Sequence, residues 1–296
     1  MNDPVRTLRA ALRLLLVLLL TALPLAAPAA GQADATEWTP ELSMQFRAVS
    51  STTISPDGSL VAFVVREPLM EGEQSEYRSH VWVAATDGSW TRQFTRGEES
   101  ASNPSFTPDG ETLLFTTSRS GDNQVWALPL VGGEAYQVTE ASEGVGSYAV
   151  SPDGSHLAYT MADPESEAWE QAKKEKRDVI VADSDYRYEH IYMGPLGDGM
   201  QPRAHQVTDG DFTVTGWDWA PDGRHIVFAH RTDPRINTGR LDGDISVVNT
   251  MEHGPDGGHT FTVRPLVMGE GVEDSPLVSP DGSLVAFIST GDQPEP

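Results

Sequence analysis

Short apolar runs, each preceded by the same polar turn, recur five times along the chain. The turns read SPDGS at 55–59, TPDGE at 107–111, SPDGS at 151–155, APDGR at 220–224 and SPDGS at 279–283, and the runs after them read LVAFVV, TLLFTT, HLAYTM, HIVFAH and LVAFIS. Apolar residues at consecutive positions predict strands that are buried on both faces. Pro presets φ and Gly tolerates positive φ, so each turn predicts a tight β-hairpin whose Asp is a turn residue and not a catalytic acid.

A second and a third strand follow each of the first three runs. The second has an aromatic residue near its start, as in HVWVAAT, and the third is short and ends in Thr, as in TRQFT. The turns start 52, 44, 69 and 59 residues apart. Four-stranded units at such a period predict an all-β fold, a β-propeller with WD40-like repeats, and a sandwich of unrelated hairpins would not repeat this order. We expect blades at about 51–95, 100–139, 145–208 and 212–267 and a partial fifth at 272–290, which is about four and a half blades of a propeller over 51–296.

Three long insertions connect the second and third strands of a blade, at about 66–80, 163–188 and 231–243. Because antiparallel strands alternate in direction, these insertions should all lie on one face, opposite the PDG turns. The insertion at 163–188 is in the third blade and predicts a surface helix from Glu165 to Lys176, supported by an i,i+4 pair of Glu170 with Lys174. The residues after the helix are either a solvated charged loop or a substrate-facing surface. The substrate-facing candidates are Asp185, Tyr186, Arg187, Tyr188 and Glu189.

The N-terminus resembles a targeting segment. Three arginines precede an apolar run and the A-x-A site Ala27-Pro28-Ala29, so residues 1–30 predict a signal peptide and an exported protein, periplasmic or extracellular. A membrane anchor is the alternative, but the uninterrupted apolar run from Leu14 to Leu20 is too short to span a bilayer. Residues 31–50 form a leader with a short helix, in which Thr39 is the N-cap.

Composition excludes several classes of function. A net charge of −24 disfavours nucleic acid and, after signal cleavage, anionic membranes as partners. The chain has no Cys, so the fold uses no disulfide. No metal site and no cofactor are expected, because the His residues show no zinc spacing and the DGD strings at 209–211 and 242–244 favour turns over calcium loops. The chain has no GxSxG, so we expect no catalytic residue within it.

The fifth blade has only its first two strands. A propeller closes by pairing its last blade with its first, and an open ring exposes apolar faces and a strand edge. We therefore expect the chain to be the front part of a longer protein.

Two longer stretches resemble a known family. SPDGSLVAFVV with HVWVAATDGSWTRQFT, and above all AKKEKRDVIVADSDYRYEHIYM at 172–193, are similar to the N-terminal propeller of secreted prolyl oligopeptidase-family serine peptidases of the dipeptidyl-peptidase and acylaminoacyl-peptidase types. The resemblance implies a C-terminal α/β-hydrolase domain, absent from this chain, with a Ser, Asp and His triad. It also implies a propeller that restricts access to peptide substrates. The alternative is a non-enzymatic periplasmic propeller of the TolB type, which has similar PDG units and binds protein partners.

Overall fold

The computed structural model describes residues 38–39, 42, 44–71, 74–177, 186–197, 204–233, 235, 242–251, 261–269 and 271–291. The chain divides into two compact units, Met1–Phe46 and Arg47–Pro296. In the first unit, the Leu42 amide donates to Thr39 Oγ1 over 3.1 Å, which is the contact expected of an N-cap residue. The predicted signal peptide and its A-x-A site lie outside the described residues.

The second unit is built from antiparallel sheets in strict chain order. Blade 1 contains β1 (Ala48–Ile54), β2 (Leu60–Glu71), β3 (Gln74–Ala85) and β4 (Thr91–Gln93), and blade 2 contains β5 (Ala101–Phe106), β6 (Thr112–Thr117), β7 (Gln124–Pro129) and β8 (Tyr136–Gln137). Blade 3 contains β9 (Tyr148–Val150), β10 (His156–Ala162), β11 (Glu189–Pro195) and β12 (His205–Gln206), and blade 4 contains β13 (Thr213–Trp219), β14 (His225–Arg231), β15 (Asp244–Asn249) and β16 (Val263–Val267). Blade 5 contains β17 (Glu273–Val278) and β18 (Val285–Ser289). Each sheet pairs its strands in sequence order, so the predicted propeller of about four and a half blades is confirmed.

All five PDG turns close the hairpin between the first two strands of a blade, as predicted. Their glycines have φ of 73°, 74°, 75°, 65° and 71°, in the left-handed region. In the first turn, Asp57 Oδ1 accepts hydrogen bonds from Ser55 Oγ at 2.6 Å and from the Ser59 amide at 3.0 Å. These bonds, that from Ser55 first, lower the pKa of Asp57 to about 2. The turn carboxylate is therefore ionised at neutral pH and cannot act as a general acid.

The core lies between successive blades. Strands β1 and β5 pack together, as do β13 and β17, so the first strand of each blade is the innermost. Buried side chains fill the interfaces on both sides of each middle sheet, for example Phe115 between blades 1 and 2 and Phe228 between blades 3 and 4. Each central strand is therefore covered on both faces, which explains its consecutive apolar residues.

The Thr two residues beyond the fourth strand of blades 1 to 3 has one repeated role. Its buried hydroxyl accepts the backbone N–H of the third strand at 2.8 Å for Thr95, 2.9 Å for Thr139 and 2.9 Å for Thr208. The bond satisfies an amide at the point where the fourth strand leaves the sheet, and a buried amide without a partner is costly. The recurrent terminal Thr is thus a strand-end cap.

The sequence suggested a loop for the first insertion, and this prediction is wrong, because the structure has an extended β-hairpin there. Strand β2 continues to Glu71 and β3 starts at Gln74, so the two strands stay paired from Leu60 with Ala85 to Glu71 with Gln74. The guanidinium of Arg66 lies 3.9 Å from the centroid of the Tyr77 ring within this hairpin. Cross-strand contacts of this kind stabilise an extended ribbon beyond the blade. Strand β1 also starts at Ala48, earlier than the blade boundary expected at residue 51.

The two-stranded sheet of blade 5 has one covered and one exposed face. Val278 and Val285 pack against Ile245 of blade 4. On the other face, Leu277 is 65% exposed and Ile288 is 65% exposed. Within the described residues no further sheet covers this apolar face.

Candidate functional site

The insertion of blade 3 lies on the face opposite the PDG turns. It starts after β10 and contains helix α1 (Glu167–Lys174), slightly shorter than the predicted helix. Ser166 caps the helix by accepting the Trp169 amide at 3.2 Å, and the predicted pair forms with Lys174 Nζ 3.6 Å from Glu170 Oε2. Lys176 adopts a positive φ of 56° just beyond the helix end. The sequence indicated the charge pattern of this helix, and the structure adds its Ser166 cap.

Arg187 is the best-connected of the candidate residues. Its Nε donates to the carbonyl oxygen of Asp163 at 2.6 Å, and its Nη2 forms an ion pair with Glu143 in the segment that links blades 2 and 3. Its Nη1 lies 4.0 Å from Glu165 Oε1, and Glu165 also binds Lys173 Nζ at 2.6 Å. The guanidinium is therefore committed to the protein, and it fastens the insertion to the neighbouring blade.

The other candidates point in different directions. Tyr186 is 37% exposed, and the Tyr188 ring centroid lies 6.4 Å from that of His190. The Glu189 amide donates to Thr213 Oγ1 of blade 4 at 3.0 Å. Asp185 lies outside the described residues. The structure therefore does not gather the described members of this set into one cluster.

The Glu189 side chain points toward the innermost strand of blade 3. A Cβ placed on Gly146 would collide with Glu189 Oε1 and would lie 2.6 Å from Thr160 Oγ1. Gly146 directly precedes Ser147, whose amide donates to Thr160 Oγ1 at 2.9 Å. Glu189 thus places a carboxylate at the inner edge of the blade.

The innermost strands carry a row of small polar residues that the sequence reasoning missed. Each lies five positions before the Pro of a PDG turn, and the row is Ser51, Asn103, Ser147, Gly216 and Ser275. Ser51, Asn103 and Ser275 have φ of 51°, 49° and 54° at bulges in the strand pairing. Such conformations are strained for residues with a side chain and cluster at functional sites. The recurrence of small or polar residues before each turn was the available sequence signal.

Hydrogen bonds connect these inner strands from blade to blade. Tyr148 donates its hydroxyl to the carbonyl of Asn103 at 2.5 Å, and Trp217 Nε1 donates to Ser147 Oγ at 2.8 Å. Ser51, Asn103 and Ser147 also line an open cavity of about 410 Å³. The inner surface of blades 1 to 3 is therefore polar and held in register, and Glu189 lies at its border.

His190 is buried next to Phe212, just before the first strand of blade 4. Its Nδ1 lies 3.3 Å from Thr208 Oγ1, its Nε2 lies 3.9 Å from Asp163 Oδ1, and its ring meets Phe212 edge-on at 5.2 Å. Burial lowers the pKa of His190 below the ordinary 6.5, although Asp163 and Asp209 oppose the shift. Burial also lowers the pKa of His80 and of His230. These three imidazoles are neutral at pH 7.

We expect the chain to lose stability as the pH falls from 7 to 5. A His whose pKa is lowered in the folded state takes up its proton more readily in the unfolded chain. Its contribution to the free energy of unfolding is therefore complete above pH 6.5. That contribution is lost as the pH falls from 6.5 toward the pKa of the folded state. Thermal unfolding midpoints at pH 7.5 and 5.5 measure this loss. His190→Gln should show a smaller drop than the parent chain. Between pH 8.5 and 7.5 the imidazoles stay neutral, so the change in the unfolding midpoint should be equal in the parent chain and in His190→Gln. An unchanged drop in the variant would show that His190 does not contribute.

Asp242 belongs to one of the two DGD strings for which the sequence favoured a turn over a calcium loop. Asp242 Oδ2, from a predicted turn string, accepts the Thr232 amide at 2.8 Å and the Asp233 amide at 3.0 Å. Among the described residues, no group of three His, Asp or Glu side chains is placed to hold a metal ion.

Within the described part of the chain, none of the helices has the length and apolar character needed to cross a bilayer.

A family profile matches the propeller sequence. The profile of the TolB β-propeller domain matches residues 39–195, more than half of the chain. The chain belongs to the TolB β-propeller domain family. This TolB-type propeller is also 26% identical over 286 residues to dipeptidyl-peptidase 5 of Porphyromonas gingivalis. The alignment covers 88% of the chain and 40% of that relative, so the chain spans well under half of its length.

Solved structures agree on the fold. Acylaminoacyl peptidase of Pyrococcus horikoshii matches 78% of the chain with 34% of its own, at 17% identity and a TM-score of 0.54. A puromycin-hydrolysing peptidase of Mycobacterium tuberculosis matches 82% of the chain with 34% of its own, at 13% identity and a TM-score of 0.53. The predicted similarity to the N-terminal propeller of prolyl oligopeptidase-family peptidases is confirmed.

Proposed function

We propose that this TolB-type propeller is the substrate-gating domain of an exported serine peptidase that acts on peptides. The observation that carries the proposal is the alignment with dipeptidyl-peptidase 5, which covers 88% of the chain but only 40% of that peptidase. A relative of this length has room for a catalytic domain in addition to the propeller. The exposed apolar face of blade 5 supports a following blade in the same protein.

The geometry supports a gating role for the face that carries the insertions. Arg187 holds the blade 3 insertion against the linker between blades 2 and 3 through Glu143. Glu189 places a carboxylate at the inner edge, in a protein with a net charge of −24. In this proposal Glu189 attracts the ammonium end of a peptide, and Arg187 is a positioning residue that keeps the insertion in place.

The N-terminal segment supports export. Residues 1–30 have the basic, apolar and small-residue parts of a secretory signal, and the chain has no Cys that an oxidising compartment would modify. The proposed location is therefore periplasmic or extracellular. The partners in this proposal are peptide substrates, and the catalytic Ser, Asp and His would lie outside these 296 residues.

The natural protein, purified with an antibody against this propeller, provides the test. It should cleave a short peptide, and it should leave the same sequence intact when that sequence is inserted in a stable folded domain. Cleavage of both substrates would contradict gating but keep the peptidase assignment. Cleavage of neither would contradict the peptidase assignment and favour a TolB-type propeller that binds protein partners, for which the family match is the supporting observation.

A further inference from the structure

A cavity of about 370 Å³ lies between blades 2 and 3, apart from the polar inner surface. Its blade 3 wall consists of Leu157, Tyr159 and Met161 from β10 with Tyr192 and Gly194 from β11. Its blade 2 wall is the segment from Val138 to Ser142 that follows β8. The volume falls in the range of small-molecule sites, which are mostly apolar with a few polar groups.

The strand register explains why this space is open. Tyr159 lies opposite Tyr192, and Leu157 lies opposite Gly194, so these side chains share the face that looks toward blade 2. The two tyrosine rings stack with centroids 5.9 Å apart. Gly194 has no side chain to fill the space beside them. The cavity is therefore formed by the residue types of two paired strands.

Tyr159 has an unused hydroxyl in this cavity. The residue is 5% exposed, and among the described residues its hydroxyl has no hydrogen-bond partner. Burial raises the pKa of Tyr159 to about 12, so the hydroxyl keeps its proton and can donate or accept. The hydroxyl faces the cavity and is available to hydrogen-bond with a ligand there.

The described residues at the cavity mouth carry charge of one sign. Glu140 lines the cavity, is exposed, and forms no ion pair within the described part of the chain. Glu143, in the same segment, is neutralised by Arg187. Among the described residues that line the cavity there is no cation, so their charge favours a positively charged group.

We propose that this cavity binds an aromatic group that carries an ammonium. The aromatic part lies against Tyr159 and Tyr192, where ring contacts and the tyrosine faces favour both a second ring and a cation. The ammonium lies at Glu140. Free aromatic amines and peptides with an N-terminal aromatic residue share this chemistry. The site is independent of the proposed peptidase activity, because it uses neither Glu189 nor the inner surface.

Titration calorimetry on the full chain with tryptamine tests the proposal. Tryptamine should bind saturably with one site per chain, and indole-3-propionate, with the opposite charge, should bind at least about tenfold more weakly, which corresponds to about 1.4 kcal/mol. A tripeptide with an N-terminal tryptophan distinguishes the sources. Binding equal to that of tryptamine assigns the site to peptide ends, and much weaker binding assigns it to free amines. Absence of saturable tryptamine binding, or equal binding of amine and acid, overturns the proposal.

Variants locate the site. Glu140→Gln should remove the preference for the amine, whereas the matched control Glu134→Gln, in the turn after β7, should retain it. Gly194→Val should weaken tryptamine binding by filling the cavity. Tyr159→Phe keeps the side-chain shape and should weaken tryptamine binding several-fold. This variant therefore still tests the site if Gly194→Val does not fold. Tryptamine binding unchanged by both Glu140→Gln and Tyr159→Phe would place the ligand elsewhere and refute the assignment.

Discussion

Replacement of Gln124 by Leu should lower the free energy of unfolding by about 3 to 5 kcal/mol. Gln124 is 5% exposed and serves three groups at the end of blade 2. Its Oε1 accepts from Thr139 Oγ1 at 2.7 Å and from the Ala141 amide at 2.9 Å, and its Nε2 donates to the Ala141 carbonyl at 2.8 Å. Leucine has a similar volume but leaves these buried groups without partners, each at a cost of about 1 to 3 kcal/mol.

Gln137 provides the matched control for this variant. Its Nε2 makes one hydrogen bond, to the Thr139 carbonyl at 2.6 Å, and the residue is half-buried. Gln137→Leu should therefore cost about 1 kcal/mol. Urea denaturation of both variants measures the difference. Equal losses in the two variants would show that the Gln124 network is no more important than a single bond.

Replacement of Gly146 by Ala should lower the free energy of unfolding by about 2 kcal/mol. The new methyl group would lie 2.6 Å from Thr160 Oγ1 and would collide with Glu189 Oε1. The Glu189 carboxylate can swing aside, but Thr160 is buried, its rotamer is restricted by branching at Cβ, and its hydroxyl already holds the Ser147 amide. The variant must therefore strain the inner strand of blade 3.

Gly216, at the inner strand of blade 4, provides the control. A Cβ there would meet Asp274 Oδ1 at 3.5 Å and the Ser275 Cα at 3.7 Å, which are ordinary contacts. Neither Gly146 nor Gly216 has a positive φ, so backbone strain does not separate them. Gly216→Ala should leave the thermal midpoint nearly unchanged. If it lowered the midpoint as much as Gly146→Ala does, the steric explanation would be wrong.

Local sequence determined the repeated parts of the fold. The PDG turn needs a Gly with positive φ and an Asp that accepts amides two residues on, and both appear in each copy. Helix α1 was predictable from its helix-forming residues and its i,i+4 charge pair. The first insertion was misjudged as a loop, because its polar residues gave no sign that β2 and β3 stay paired to Glu71 and Gln74.

The contacts of the candidate site depend on long separations. Arg187 meets Glu143 across 44 positions, and Trp217 meets Ser147 across 70. No local pattern encodes such pairs, because they depend on how two blades pack. The sequence could select Arg187 and Glu189 as charged residues in an unusual insertion, but it could not show that Arg187 is neutralised while Glu189 points to the inner strand.

Labelling of the natural protein with a fluorophosphonate probe tests the peptidase assignment most directly. Protein from the exporting cells would be captured with an antibody against this propeller and examined for the label, with the purified 296-residue chain as the control. The captured protein should carry the label on a polypeptide much longer than this chain, and the isolated chain should remain unlabelled. Captured protein without label would contradict a serine peptidase, and label on the isolated chain would contradict a catalytic serine outside these residues.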